Sequence, residues 1–172
     1  MDNYWGHIKK MLHSPTEQID LRGKSAYLDL FYFREMNQQY LQKQLLPLTE
    51  GVAFVADQLN LTQHILEKVI KPKVIFVKNR ESSGYWGKLR EQNIIWLGYD
   101  FEKLGSHPCG ELYKIKGLID SNQRISPEIM ETNLRNTLLL FSQHITRFMQ
   151  KDKKPTAQFI EQLLNDYHSK QH

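Results

Sequence analysis

Three polar positions interrupt or close apolar stretches of this chain, and their side chains suit acid–base or base-reading chemistry. Asp29 breaks the aromatic run Tyr27-Leu-Asp-Leu-Phe-Tyr-Phe33. Its carboxylate either points to a cleft or is satisfied by a neighbouring helix N-terminus, since buried acids are usually paired. Asn79 closes Lys73-Val-Ile-Phe-Val-Lys-Asn79, with Ser82 and Ser83 just beyond. An amide and two hydroxyls there can hold a base or another ligand, or they cap the next helix. His144 follows Thr137-Leu-Leu-Leu-Phe141 in the stretch Ser142-Gln-His-Ile-Thr-Arg-Phe148. An imidazole at a strand's carboxyl end can stabilise charge on a leaving group or bind phosphate; otherwise it organises its loop. Arg147, Lys151, Lys153 and Lys154 come next, opposed only by Asp152. Such a cluster can neutralise phosphates in a salt-dependent way, and Phe148 can wedge into a base stack. The plain alternative is a solvated basic turn whose apolar residues close the core.

The elements around these residues decide whether they meet. Val52–Ile70 carries Val55, Leu59, Leu66 and Val69 on one face of a 3.6-residue period, and Pro72 stops that helix. A buried strand follows at Val74–Val77, and Ser82–Gly87 can cap and open a second helix. Helix, strand, polar turn and helix is the grammar of a mostly parallel sheet, whose ligands bind at the carboxyl ends of the strands. Tyr27–Phe33, Ile94–Leu97 and Leu138–Phe141 read as further strands of that sheet. Leu112–Leu118 reads as an edge strand with Lys114 and Lys116 facing out, and Asp100–Gly110 as a loop holding Gly105, Pro108 and Gly110. Helices are expected near Tyr4–Leu12 and over Met36–Leu46, from the cap Ser126-Pro127-Glu128, and in a last segment burying Phe159, Ile160, Leu163, Leu164 and Tyr167. His13–Lys24 reads as a polar loop. The expected fold is a three-layer α/β/α domain with a central, mostly parallel sheet, one domain spanning 1–172.

Composition narrows the classes. A chain of 172 residues can bury a substantial core, and eight Phe, eight Tyr and three Trp argue for a folded globule. The net charge of +4 permits a polyanionic partner without requiring one. A single cysteine, Cys109, forms no internal disulfide and excludes a four-cysteine metal site, which points to a reducing, cytoplasmic setting. No apolar run approaches the ~20 residues needed to cross a bilayer. No phosphate-binding glycine loop, dinucleotide fingerprint or nucleophile elbow is present, and no cofactor or metal is expected. His168 and His172 have helical i,i+4 spacing, but at a terminus prone to fray.

The order of elements and their polar ends resembles the uracil-DNA glycosylase superfamily. In that family a strand ends in an asparagine that reads the base, and a later apolar strand runs into a His-Pro-Ser loop that presses on DNA. Tyr27–Arg34 falls where the first of these strands would be, with Asp29 in the asparagine's place. Lys73–Asn79 with Ser82–Gly87 is similar to the middle unit, and His144-Ile145-Thr146 stands for His-Pro-Ser. The resemblance covers roughly residues 4–165 as a pattern of short motifs. It implies a protein that binds nucleic acid or a nucleobase and cleaves a base–sugar N-glycosidic bond, with Asp29 and His144 catalytic and Asn79, Ser82 and Ser83 on the base. DNA contacts would come from Arg147, Phe148, Lys151, Lys153 and Lys154.

Two departures bear on that activity. The family's first motif, which supplies a water-activating acid, would precede Met1, so a strand at the N-terminus is expected to be missing. An ionised Asp29 offers acceptors only, so it suits a base edge bearing N–H groups and repels the O4 of uracil. The alternative is a non-catalytic member of the fold, acting as a ligand-binding or protein-interaction module.

Overall fold

The computed structural model describes residues 6–32, 40–78, 80–87, 96–119, 129–142, 145 and 150–169. Its elements begin and end where the chain's backbone chemistry changes. Helix α1 (Gly6–Met11) leads into a two-stranded antiparallel ribbon, β1 (His13–Ser14) with β2 (Ile19–Asp20), so the region expected to be loop is partly paired. A wide helical turn, α2 (Leu41–Leu45), is closed by the i−5 bond from Leu46 N–H to the Leu41 carbonyl, 2.9 Å, and stops at Pro47. Helix α3 (Thr49–His64) continues into a π-helical stretch, Ile65–Ile70. That stretch ends on Lys71, at φ +47°, whose N–H bonds the Leu66 carbonyl 2.9 Å away, just before Pro72. Strand β3 (Val74–Val77) and helix α4 (Arg80–Trp86) follow, then β4 (Tyr99–His107), β5 (Gly110–Leu118), β6 (Leu138–Ser142) and α5 (Ala157–Ser169).

The sheet is mixed, in the order β3-β6-β5-β4. β3 and β6 are parallel, Val74 opposite Leu138 through Val77 opposite Phe141, whereas β5 runs antiparallel to both β6 and β4. Every residue of β6 is buried, because both of its faces are covered. Val77, Leu139 and Phe141 join Val55, Leu59 and Leu66 in the larger core cluster, with Ile75 packed against it. Phe76 packs instead with Ala157 and Ile160 of α5 in a second cluster. Alternate residues of β3 therefore meet different helices, as the two-residue side-chain period requires.

Several expectations need correction. The sheet is not mostly parallel, because Tyr99–His107, expected within a loop, is a strand that pairs with Gly110–Leu118. Of the residues read as breakers, only Pro108 lies in the turn; Gly105 sits at a register irregularity and Gly110 begins the next strand. Leu112–Leu118 is consequently not an edge but lies between β4 and β6. The ion pairs Lys103–Glu111, Lys114–Glu102 and Lys116–Asp100, at 2.6, 2.9 and 3.1 Å, bridge the hairpin and place charge along its outer strand. Exposed pairs of this kind each contribute about 0–1 kcal/mol, so they favour the register more than they stabilise the fold.

Tyr27–Tyr32 makes no ladder and bends at Leu30 and Tyr32; Phe33 lies outside the described residues. Its backbone is satisfied by α3 side chains instead: Thr62 Oγ1 donates to the Leu30 carbonyl at 2.8 Å, and the Tyr32 N–H donates to Gln58 Oε1 at 3.0 Å. Tyr27 packs on the cluster beside α5, while Leu28, Leu30 and Phe31 pack on the larger one. The aromatic richness that resembles a strand thus serves a segment that passes from one face of the sheet to the other. Trp96 and Leu97 are likewise not strand; the Leu97 N–H bonds the Tyr85 carbonyl at 2.8 Å, and Ile94 lies outside the described residues, as does the expected helix start at Ser126. Ser82 and Ser83 fall inside α4 rather than at its cap.

Two glycines are dictated by close approach. Gly87, at φ +107°, would bring a Cβ to 2.5 Å from the Trp96 ring. At Gly110 a Cβ would overlap the Phe141 carbonyl oxygen and stand 2.8 Å from the Ser142 Cα. Both obstacles at Gly110 are backbone of the central strand and cannot swing away. Gly110→Ala is expected to lower unfolding free energy by about 1–3 kcal/mol, seen as a lower urea midpoint. An unchanged midpoint would show that the hairpin can shift off β6.

Candidate functional site

The parallel register carries on past β3 and β6. Val77 faces Phe141, so Lys78 and Ser142 follow side by side at the carboxyl ends, where open α/β sheets bind ligands. Ser142 Oγ donates to the Val77 carbonyl at 3.0 Å. The Ile145 N–H donates to the Lys78 carbonyl at 3.3 Å, which keeps the chain leaving β6 against the end of β3. His7 Nε2 reaches the Ile145 carbonyl at 3.1 Å and ties α1 to the same corner.

Lys78 is half-buried there, and desolvation draws its ammonium below the usual lysine range, partly offset by the Asp29 carboxylate. Asp29 itself is exposed, between Leu28 and Leu30, which pack on the larger core cluster. Asp29 thus acts electrostatically on Lys78 from a position about fifty residues away in sequence. Asn79, His144, Arg147 and Phe148 lie outside the described residues, as does the side chain of Lys151. Lys153 is exposed in the short turn Lys151–Lys153, beside exposed Asp152; Lys154 is half-buried. Ser83 is buried within α4 and Ser82 is half-buried. Sequence reasoning passed over Lys78. The available signal was its place, a cation directly after four apolar residues of a buried strand.

The hairpin tip stands at the same end of the sheet, because Gly110 pairs with Ser142. There the Cys109 N–H donates to His107 Nδ1 at 3.2 Å, and Cys109 Sγ lies 2.8 Å from the same nitrogen. Nδ1 is thus an acceptor, which leaves the ring proton on Nε2. The ring stacks on Phe159 of α5, centroids 3.9 Å apart. Burial pushes the Cys109 thiol up to about 11 and holds His107 below its ordinary value. A buried neutral thiol hydrogen-bonded to a neutral imidazole fastens the hairpin to α5 and is no nucleophile.

A second polar cluster lies at the opposite end of the sheet. Glu67, fully buried on the π-helical stretch, accepts from Tyr99 Oη at 2.9 Å, Thr132 Oγ1 at 2.5 Å and the Asn133 N–H at 2.7 Å. Asn133 Nδ2 donates to the Glu67 carbonyl at 3.1 Å, and Gln63 Nε2 to the Leu97 carbonyl at 3.0 Å. Burial and the neighbouring carboxylate hold the Tyr99 hydroxyl well above its usual range, so it stays a donor. This network ties α3 to β4 and to the approach to β6. Beside it is an open groove of about 360 Å³ lined by Asp100, Lys116, Thr132 and Arg135, where Asp100 and Lys116 already pair.

Among the described residues no three His, Cys, Asp or Glu side chains stand together to hold a metal ion, and no helix is long and apolar enough to cross a membrane. No protein-family model matches the sequence, and neither a curated protein nor a solved structure is significantly similar to it.

Proposed function

We propose that this chain binds nucleic acid at the carboxyl ends of β3 and β6, as a uracil-DNA glycosylase-like protein that does not release uracil efficiently. The supporting observation is the bond from the Ile145 N–H to the Lys78 carbonyl. It holds Ile145, which precedes the basic residues in sequence, against the end of β3, where Asp29 acts on Lys78. Cations that follow a ligand-binding strand end can take backbone phosphates while the corner meets a sugar or base.

Poor uracil release follows from Asp29. Its ionised carboxylate repels a carbonyl oxygen where an amide would donate to it. Asp29→Asn is expected not to restore turnover, because it gains a donor for that oxygen only by losing a carboxylate that could serve as a base.

Fluorescence anisotropy with a uracil-containing single strand, titrated across salt concentrations, tests the reading. Replacing both Lys153 and Lys154 by Ala should flatten the slope of log affinity against log salt by about 1.4, the loss of two single-strand phosphate contacts. Alkali treatment of the same strand should reveal no abasic-site cleavage. Undetectable binding at low salt would reject the proposal and leave a protein-interaction module of this fold; robust strand cleavage would reject the statement about uracil.

A further inference from the structure

We infer that His107 is an acid-sensitive latch: protonation at Nδ1 frees the tip of the β4–β5 hairpin from α5. The device is independent of nucleic-acid binding.

Two contacts of one ring make the latch. Nδ1 accepts the Cys109 N–H at 3.2 Å, the bond that an aspartate or asparagine makes to the backbone two residues on, and it closes the turn through Pro108. The face of the ring lies on Phe159 of α5, centroids 3.9 Å apart and planes 16° from parallel. The tip is fixed on its other side, because Gly110 pairs with Ser142 and packs against the backbone of Phe141 and Ser142. The contact with α5 is the one left to open.

A second proton has no place in this arrangement. An imidazolium carries N–H on both nitrogens, so Nδ1 would turn a donor toward the donor it now accepts from. Cys109 is fully buried, so its N–H finds no water where it stands, and the thiol sulfur 2.8 Å from Nδ1 is only a weak acceptor. His107 is half-buried, which gives a charged ring a short way to water at the loss of its stack on Phe159. Desolvation already disfavours the charged form. No charge compensates among the described residues: the six charged side chains of β4 and β5 pair across the hairpin, and β6 carries none. On α5, Glu161 is about 200° round the helix from Phe159, and Asp166 is about 10 Å further along it. Neither acts on the ring.

Proton NMR of the full chain between pH 7 and pH 5 tests this. At pH 7 the His107 ring protons should show the upfield displacement of a ring stacked on Phe159. On acidification that displacement should disappear as the ring charges, with a midpoint below the ordinary histidine value. Exchange of the Cys109 amide, corrected for its intrinsic pH dependence, should speed severalfold by pH 5. The ceiling is about 25-fold, for an imidazole that titrates near 6.5 when free and not at all when latched. His107→Asn keeps a side-chain acceptor for that N–H but cannot titrate, so its Cys109 exchange should stay level. A ring that charges while still stacked, held as a cation over the phenyl face, would overturn the latch. So would unchanged Cys109 exchange in the parent chain, or an equal acid response in His107→Asn. Equal protection of the Cys109 amide and that of buried Leu139 would mean whole-chain unfolding and would overturn it as well. Should His107→Asn fail to fold, the ring-proton titration decides by itself.

Discussion

Glu67→Ala is expected to lower the unfolding free energy by about 2–4 kcal/mol, because the donors that it holds lose their acceptor. The substitution leaves the Tyr99 hydroxyl, the Thr132 hydroxyl and the Asn133 N–H without their acceptor; the Tyr99 donor is fully buried, while Thr132 is half-buried and Asn133 exposed. Each unmet donor costs about 1–3 kcal/mol, and release from burying a carboxylate returns part of that. Tyr99→Phe removes one donor and keeps the ring stacked near Trp86, so its cost should be about 1 kcal/mol. In the Glu67→Ala background Tyr99→Phe should cost less than it does alone, since the hydroxyl has already lost its acceptor. Urea denaturation of the four proteins gives the coupling directly. A loss under about 1 kcal/mol for Glu67→Ala would mean that water fills the space and meets those donors.

The position of Glu67 also shows where the sequence was legible. An acid within a helical period is ordinarily read as part of the solvated face, and nothing in one sequence marks it as buried. The Val52–Ile70 stripe was correct through Val55, Leu59 and Leu66, all buried. It failed at Val69, which is 70% exposed. The physical reason is the π-helical stretch: more residues per turn rotate the following positions, turning Glu67 inward and Val69 out. Val74–Val77 and Leu138–Phe141 were legible because continuous apolar runs with clear stops have few other homes. β4 was not, because Gly105, Pro108 and Gly110 signal turns, and a strand with polar outer residues at a sheet edge lacks an apolar run. Tyr27–Tyr32 misled in the opposite sense. Tyr27, Leu28, Leu30 and Phe31 are half-buried, yet the Leu30 carbonyl and the Tyr32 N–H find Thr62 and Gln58 instead of a neighbouring strand. Of the candidate corner, the ends of β3 and β6 were legible; Lys78 was not, since a lysine after a strand usually reads as a solvated terminator.

Stability should fall steeply on the alkaline side, between about pH 9 and pH 12. Cys109 and Tyr85 are both buried; burial pushes the thiol up to about 11 and the Tyr85 hydroxyl up to about 12, and Tyr99 is raised as well. Each group has a folded value above its unfolded one. Between the two values the folded chain keeps a proton that the unfolded chain has released, so rising pH favours unfolding. The thiol contributes from about pH 9 and the phenols from about pH 10, at about 1.4 kcal/mol per unit of separation. Lys78 works in the opposite direction, because its folded value is depressed and the unfolded chain holds the extra proton just below the ordinary lysine range. One half-buried amine cannot offset three buried acids. Urea midpoints should therefore be level from neutral pH to about 9 and then drop, and Cys109→Ala should delay the onset by about one unit without removing the fall. Tyrosinate absorbance gives an independent signature: the steps from Tyr85 and Tyr99 should coincide with loss of structure rather than precede it. If those two phenols ionised at ordinary pH in a chain still folded, the packing of Tyr85 against Phe31 and of Tyr99 over Trp86 would be open to water. The Glu67 network would then be solvated too, and the large effect expected for its removal would vanish with it.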